Sequence, residues 1–297
     1  MESKYIRLLR PLAWITFLLP FTVGFGLGIT SKSNPFHVIF AFIAFISWMS
    51  FCFVVNAIAD RDVDRFHNGR SKDMNLAFQP LVTDEIDVKE ASYLSIAFLC
   101  SSVVFALLIN PLFFSIILFV DILGYVYSMP PTRFKMRPVA DVVCNAVAAA
   151  AIFTAGLSIG GGNMNPVMIL GASTVASNFY IPTVVTDYEF DKKAGLRTSA
   201  VFFGPRKTLK TMYLLTPAGV ALWVIVFLTS HLEIQISALI VIIYTLVFTM
   251  AANMKFKKDR LYIHENWILI PFLLISMAFT IYGVIKLLGL SVLPVKY

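Results

Sequence analysis

The sequence predicts an all-α integral membrane protein, a single polytopic domain over residues 1–297 built as a bundle of nine transmembrane helices. Three observations predict it. Of 297 residues, 58% are hydrophobic and 14% charged, with a mean hydropathy of +0.80, whereas soluble chains carry about 25% charged residues. Nine runs reach the ~20 mostly apolar residues that a helix needs to cross the hydrocarbon core. Of the 24 Lys and Arg, 21 fall in the N-terminal segment and in alternate connections, the asymmetry that orients a multi-span protein.

The first run, 11–30, follows Lys4, Arg7 and Arg10 and lacks a small-residue cleavage site, so it reads as a retained span. The second covers 36–59. The third and fourth, 91–109 and 111–128, are parted only by Asn110-Pro111, a tight hairpin. The fifth and sixth, 139–159 and 166–186, are joined by Gly160-Gly161-Gly162-Asn163, a turn. The last three are 211–230, 235–253 and 266–289. An odd number of spans sets the termini on opposite sides. The basic loops 60–90, 129–138, 187–210 and 254–265 then lie with the N-terminus in the cytoplasm, and the C-terminus lies across the bilayer. The net charge of +7 is therefore topological, and it implies no nucleic-acid partner; no protein partner is evident either. Cys52, Cys100 and Cys144 sit in apolar runs as small hydrophobes.

Topology does not account for the acidic residues. The second span ends in Asn56, Asp60 and Asp64, spaced by four, which form one polar stripe if the helix continues. The sixth ends in Asp187 and Asp191, again four apart, whereas Asp62 and Glu189 point elsewhere. Like charges at that spacing weaken a helix unless a cation lies between them. Carboxylate oxygens suit Mg²⁺, which bridges one or two Asp to the oxygens of a phosphate. Two such pairs on one membrane face could hold Mg²⁺ around a diphosphate and stabilise it as a leaving group. The placement suggests two pseudo-repeats, about 1–138 and 139–265, with 266–289 as a ninth helix.

At these residues the chain resembles the UbiA-type intramembrane prenyltransferase superfamily. Asn56-x-x-x-Asp60-x-x-x-Asp64 is similar to that family's NxxxDxxxD, and Asp187-Tyr-Glu-Phe-Asp191-Lys-Lys-Ala-Gly195-Leu-Arg197-Thr198 to its second motif. The resemblance spans the chain, since nine spans with motif loops after the second and sixth is the family's layout. It implies Mg²⁺-dependent transfer of a polyprenyl group, such as geranylgeranyl, from its diphosphate through an allylic carbocation to a lipophilic acceptor. That acceptor is a quinone or other aromatic precursor, a glyceryl-phosphate lipid or a carotenoid. Asp60, Asp64, Asp187 and Asp191 would be the catalytic metal ligands and Asn56 a diphosphate contact. The stretch Tyr127 to Pro138 is similar to a loop in which Tyr127, Arg133 and Lys135 would hold the diphosphate, and its YSxPPxRFKxRP pattern is reminiscent of carotenoid-elongating members. Quinone and ether-lipid members carry Asn-Arg-Pro-x-Arg-Pro where this chain runs from His67 to Asn75 without it.

Four further residues are expected at the substrate site. Asp121 is an intramembrane carboxylate that with Tyr125 and Ser128 could line the cavity. Asn145 shares a face with Asp141 at the start of the fifth span. Lys192 and Arg197 follow the second motif directly. His67 and His264 read as solvated loop residues. The rival reading, a polytopic transporter with acidic ion-binding sites, would place its ionisable residues near the bilayer midplane. Here the paired aspartates lie at the boundary.

Overall fold

The computed structural model describes residues 3–66, 79–257 and 266–290. In chain order its α-helices are α1 (Lys4–Leu9), α2 (Ile15–Gly28), α3 (Pro35–Phe66), α4 (Val88–Leu107), α5 (Pro111–Ser128), α6 (Ala140–Ser158), α7 (Pro166–Thr186), α8 (Tyr188–Lys193), α9 (Ser199–Phe203), α10 (Pro205–Lys210), α11 (Met212–Thr229), α12 (Leu232–Lys257) and α13 (Asn266–Leu287). Among the described residues, nine helical segments are long and apolar enough to cross a membrane. The protein is a multi-pass membrane protein, all-α as expected. His67, His264 and the stretch 67–75 lie outside the described residues.

The sequence boundaries shift in three places. The first spanning segment begins at Lys4, because α1 leads through a 3-10 turn at Pro11–Trp14 into α2. The seventh begins at Pro205, where α10 runs into α11. The second does not stop at residue 59. Helix α3 has 32 residues, about 48 Å at 1.5 Å per residue, well beyond a hydrocarbon core of about 30 Å. The end of this long helix carries Asp60 and Asp64. Asn110 and Asn165 accept the backbone N–H groups of Phe113 and Val167, and a proline follows each, fixing the starts of α5 and α7.

Helix α6 is the hub. It packs on α2, α5 and α7; α2 also meets α13, α3 meets α4 and α5, and α11 lies between α7 and α12. The α2–α6 crossing is backbone to backbone. A Cβ added at Gly24 would lie 2.1 Å from the Phe153 carbonyl oxygen, one at Gly28 2.3 Å from that of Leu157, and one at Gly156 2.3 Å from that of Phe21. Gly24 and Gly28, four apart on α2, and Gly156 of α6 allow this approach, which in lipid replaces the missing hydrophobic drive between helices. Buried polar groups join α7, α11 and α12: Asn178 donates to Thr249 at 2.9 Å, and Thr216 bonds both. At the end remote from the motifs, the Lys286 ammonium pairs with Glu233 at 2.6 Å and donates to the Gly26 carbonyl at 3.2 Å, tying α13 to α12 and α2.

Candidate active site

Inside the ring of helices lies a cavity of about 720 Å³. Its charged lining is gathered at one end, the face that carries both aspartate motifs: Arg7, Arg10 and Asp187, with Asn56, Asn145 and the hydroxyls of Tyr127, Ser128 and Tyr180 near them, while Tyr244 packs further in against Phe179 and Phe272. Below these groups the wall is aromatic and aliphatic, from Met49 and Phe179 down to Phe153 and Trp223.

The first motif rides on the uninterrupted end of α3, so its expected stripe is realised. Asp60 accepts from Arg133 at 2.9 Å through one oxygen and from Lys135 through the other. The Arg133 guanidinium also donates to the Ala59 carbonyl at 3.1 Å. Both cations come from the short loop after α5, where Arg133 takes a left-handed backbone (φ 41°) before the 3-10 turn Phe134–Met136. Burial holds the Lys135 ammonium below its usual value, although the Asp60 carboxylate pulls the other way. Asp64, buried, takes a 3.3 Å contact from Arg10. Asn56 donates to the Ser128 hydroxyl at 3.4 Å.

The second motif is built differently. Helix α7 ends at Thr186 and α8 begins at Tyr188, yet the Asp191 N–H still bonds the Asp187 carbonyl at 2.9 Å. The two aspartates thus remain one turn apart. Gly195, at φ +70°, then reverses the chain, a conformation that costs glycine nothing. The Leu196 N–H closes onto the Asp191 carbonyl at 2.8 Å, and the Thr198 hydroxyl returns to donate to the Asp191 carboxylate at 3.0 Å. Burial, with the Asp141 and Asp60 carboxylates nearby, pushes Asp191 up to about 6. Asp60 and Lys135 act on Asp191 electrostatically, so the two motifs share one field although they stand at the ends of separate helices.

Between them, Tyr127 and Tyr180 share a 2.7 Å hydrogen bond, and Asn145 donates to the Tyr127 hydroxyl at 3.2 Å. Expected site residues Asn56, Tyr127, Asn145 and Asp187 line the cavity; Asp60, Asp64, Asp191, Arg133 and Lys135 gather about its motif end. Among the described residues no three His, Cys, Asp or Glu side chains converge on one point.

One expectation is corrected, and two expected residues stand apart from the cavity. Asp121 does not line the cavity: it faces α4, where Ser102 donates to it at 2.8 Å, while Val120 and Gly124 of the same helix form the wall. The reason is the angular step between neighbouring helical positions, which turns Asp121 away from the lumen. Lys192 and Arg197 are exposed and outside the lining; each lies over a neighbouring ring, Lys192 over Tyr188 and Arg197 over Phe202. The turn at Gly195 directs the side chain of Thr198, rather than that of Arg197, back to the motif.

Sequence reasoning missed Arg10, counted as a topological charge, and Tyr180, one more aromatic in an apolar run. It also missed what Asp141 does. This carboxylate is fully buried and accepts the Ser199 N–H at 2.7 Å and the Ser199 hydroxyl. It thereby anchors the segment that supplies Thr198 to Asp191. The signal available was the turn at Gly195, which brings 198 and 199 back.

The sequence model of the UbiA prenyltransferase family matches residues 17–261. Among solved structures, a UbiA homolog from Archaeoglobus fulgidus bound to DMAPP and Mg²⁺ is 50% identical, with a TM-score of 0.92 over 96% of this chain and 99% of that one. The same homolog bound to GPP and Mg²⁺ aligns at 49% identity and a TM-score of 0.91 over the same shares. A lycopene elongase/hydratase from Haloarcula japonica is 27% identical over 209 residues, 68% of each chain.

Proposed function

This chain belongs to the UbiA prenyltransferase family, and from that premise we propose that it moves a prenyl group from an allylic diphosphate to a lipophilic acceptor, with Mg²⁺ and the diphosphate held between its two aspartate motifs. The observation that carries this reading is the joining of both motifs to one cavity whose charged groups stand at one end and whose remaining wall is mostly aromatic and aliphatic. A molecule with a multiply charged diphosphate head and a hydrocarbon tail matches that division. The A. fulgidus homologs bound to DMAPP and GPP with Mg²⁺ support it.

The donor set fits the ion. Asp60, Asp64, Asp187, Asp191 and Asn56 offer only hard oxygens, the ligands Mg²⁺ prefers. Among the described residues no three acidic side chains converge, so these side chains would hold Mg²⁺ together with ligands from the substrate, as is common for this ion. Mg²⁺ supplies Lewis acidity towards the leaving diphosphate.

The chain's own groups do the rest. Arg133 and Lys135 leave Asp60 for the diphosphate oxygens as these arrive, and Arg10 does the same from Asp64. The bond between the allylic carbon and the diphosphate oxygen breaks with its electron pair going to oxygen. The acceptor's double bond, ring or hydroxyl then gives an electron pair to the allylic carbon and releases a proton. The hydrogen-bonded Tyr127, Tyr180 and Asn145 mark the boundary between head and tail, and the apolar wall below excludes water from the cation.

The acceptor we propose is an apolar polyene. Below the tyrosine pair the lining holds no charged side chain that would seat a phosphate or carboxylate headgroup, and the lycopene elongase/hydratase relative supports the assignment. The motif face is read as cytoplasmic from the charge asymmetry.

The test is release of diphosphate by the purified protein with geranylgeranyl diphosphate and Mg²⁺, with lycopene or a total membrane lipid extract as acceptor. Metal-dependent release, and a mass increase on the polyene, is expected. Prenylated glycerophospholipid or quinone instead would overturn the acceptor. A folded protein that releases nothing from any prenyl diphosphate, yet conducts ions in liposomes, would overturn the reaction.

A further inference from the structure

The two short helices that follow the second motif, α9 and α10, have unlike sides. Their inner side is bonded to the motif. Thr198 donates to Asp191, the Ser199 N–H donates to Asp141 at 2.7 Å, and the Thr208 hydroxyl of α10 reaches back to the Ser199 carbonyl at 3.2 Å and the Gly204 carbonyl at 3.0 Å. Thr208 and Leu209 are buried. On the outer side Arg206, Lys207 and Lys210 are exposed, and their spacing by three and four puts them on one face of α10. Among the described residues none of the three forms an ion pair. Helix α10 runs into α11, and the same face continues through Tyr213, Leu214 (75% exposed), Val224 and Leu228, all exposed. The turn before it, α9, exposes Phe202 and Phe203, whose rings meet edge-on with centroids 4.9 Å apart. The Arg197 guanidinium lies over the Phe202 ring.

A face of a spanning helix that is exposed and apolar along its length meets hydrocarbon. Cations at the end of that face stand where hydrocarbon gives way to headgroups, because Lys and Arg are costly deeper in the bilayer. Charge asymmetry requires cations on this side of the membrane, but it does not require three of them on the lipid-facing side of one helix with two exposed rings beside them. That combination fits an anionic leaflet. We infer that α9 and α10 form a docking surface for the phosphate headgroups of anionic membrane lipids, and that lipid held there keeps Thr198 on Asp191; its effect on the metal rests on the prenyl-diphosphate reading above. Like charges four apart, as at Arg206 and Lys210, weaken a helix, and a phosphate between them relieves that repulsion. Phe202 and Phe203 embed beside it. The firmer α10 holds Thr208 on Ser199, and Ser199 carries Thr198 to the motif carboxylate.

The experiment uses the full chain and three readouts. The first is the enrichment of phosphatidylglycerol over phosphatidylcholine among the lipids that the detergent-purified chain retains from an equal mixture, by mass spectrometry. The second is amide exchange at Ser199, and the third is the half-saturating Mg²⁺ for diphosphate release from geranylgeranyl diphosphate, both in phosphatidylcholine nanodiscs with and without phosphatidylglycerol. The triple variant Arg206→Gln, Lys207→Gln, Lys210→Gln should lower the enrichment about tenfold, the joint effect of three cations at a charged surface. The double variant Phe202→Ser, Phe203→Ser, which keeps every charge, should lower it less. Lys89→Gln, which removes an exposed cation from the start of α4, should leave it unchanged. In the wild type, phosphatidylglycerol should slow exchange at Ser199 and lower the half-saturating Mg²⁺ severalfold, and in the triple variant it should do neither. Equal enrichment in the wild type and the triple variant would overturn the surface. Exchange at Ser199 that ignores phosphatidylglycerol in the wild type, or a Mg²⁺ shift as large in the triple variant as in the wild type, would overturn the link to the second motif. A folded wild type that releases no diphosphate from any prenyl diphosphate would overturn the prenyl reading and leave the surface standing on the first two readouts.

Discussion

The two aspartate motifs have the same spacing and opposite electrostatics. The first is surrounded by cations: Asp60 holds Arg133 and Lys135, and Asp64 faces Arg10. In the second, Asp191 has a threonine hydroxyl, and no Lys or Arg among the described residues lies within ion-pair distance of it. The first motif rides the end of a long helix with a basic loop folded against it. The second is pinned to its own turn and desolvated, which raises Asp191 to about 6. The difference teaches a division of labour. In the proposed reaction one motif would store the positive side chains that meet the diphosphate, and the other would keep a carboxylate short of positive charge for a divalent ion.

That contrast can be broken outright by neutralising each side. Asp60→Asn and Asp191→Asn should each lower prenyl transfer by roughly 10³-fold, the scale of removing a preorganised electrostatic group from a charged transition state. The comparison is sharpened by the Mg²⁺ titration: Asp191→Asn should shift the half-saturating Mg²⁺ concentration upwards more than Asp60→Asn does. Equal shifts would mean that the two motifs do not differ in kind.

Lys135→Ala comes next. It removes a buried cation from Asp60 and should cost on the order of 10²-fold in kcat/KM for the prenyl diphosphate, with Arg133 left to hold Asp60. Steady-state kinetics at saturating Mg²⁺ would check it. A loss confined to protein yield would assign Lys135 to folding alone.

A smaller effect falls on the second motif's support. Asp141→Asn replaces charge-assisted acceptors for Ser199 with neutral ones and should cost about 1.5–3 kcal/mol. Faster amide exchange at 198–199 is the accompanying signature, with Asp60 and its partners unaffected. The smallest effect concerns α1, which brings Arg10 to Asp64. It is docked by Leu8, fully buried, and by the Arg7–Glu85 ion pair. The Arg7 hydrogen bond, helped by Thr83, holds Glu85 below the usual carboxylate range. A lowered acid contributes stability above its ordinary value and loses it as pH falls through the lowered one. Hydrogen exchange over 4–9 should therefore quicken on acidification, modestly because the pair is exposed. Exchange that is flat with pH would mean that Leu8 alone holds α1.

Much of this contrast was legible in the residues. Spacing by four put Asn56, Asp60 and Asp64 on one stripe because a helix repeats every 3.6 residues, and length alone identified the spans. Asp121 was not legible. A carboxylate in an apolar run signals importance, but a single helical position turns it to Ser102 of α4 instead of the lumen. Arg10 read as a topological charge, yet it lies against a motif aspartate. Proximity between residues 54 apart in sequence is not encoded locally.

The sequence by itself determined the solvent this protein folds in, its spans, and the spacing of the acids, since hydropathy and helical periodicity are properties of neighbouring residues. Tertiary packing alone decided which cations meet Asp60, which threonine meets Asp191, and where the cavity ends. Those depend on backbones in contact at Gly24 and Gly156, on the Trp223 ring seated at Gly171, and on turns at Arg133 and Gly195 that bring distant segments to one point.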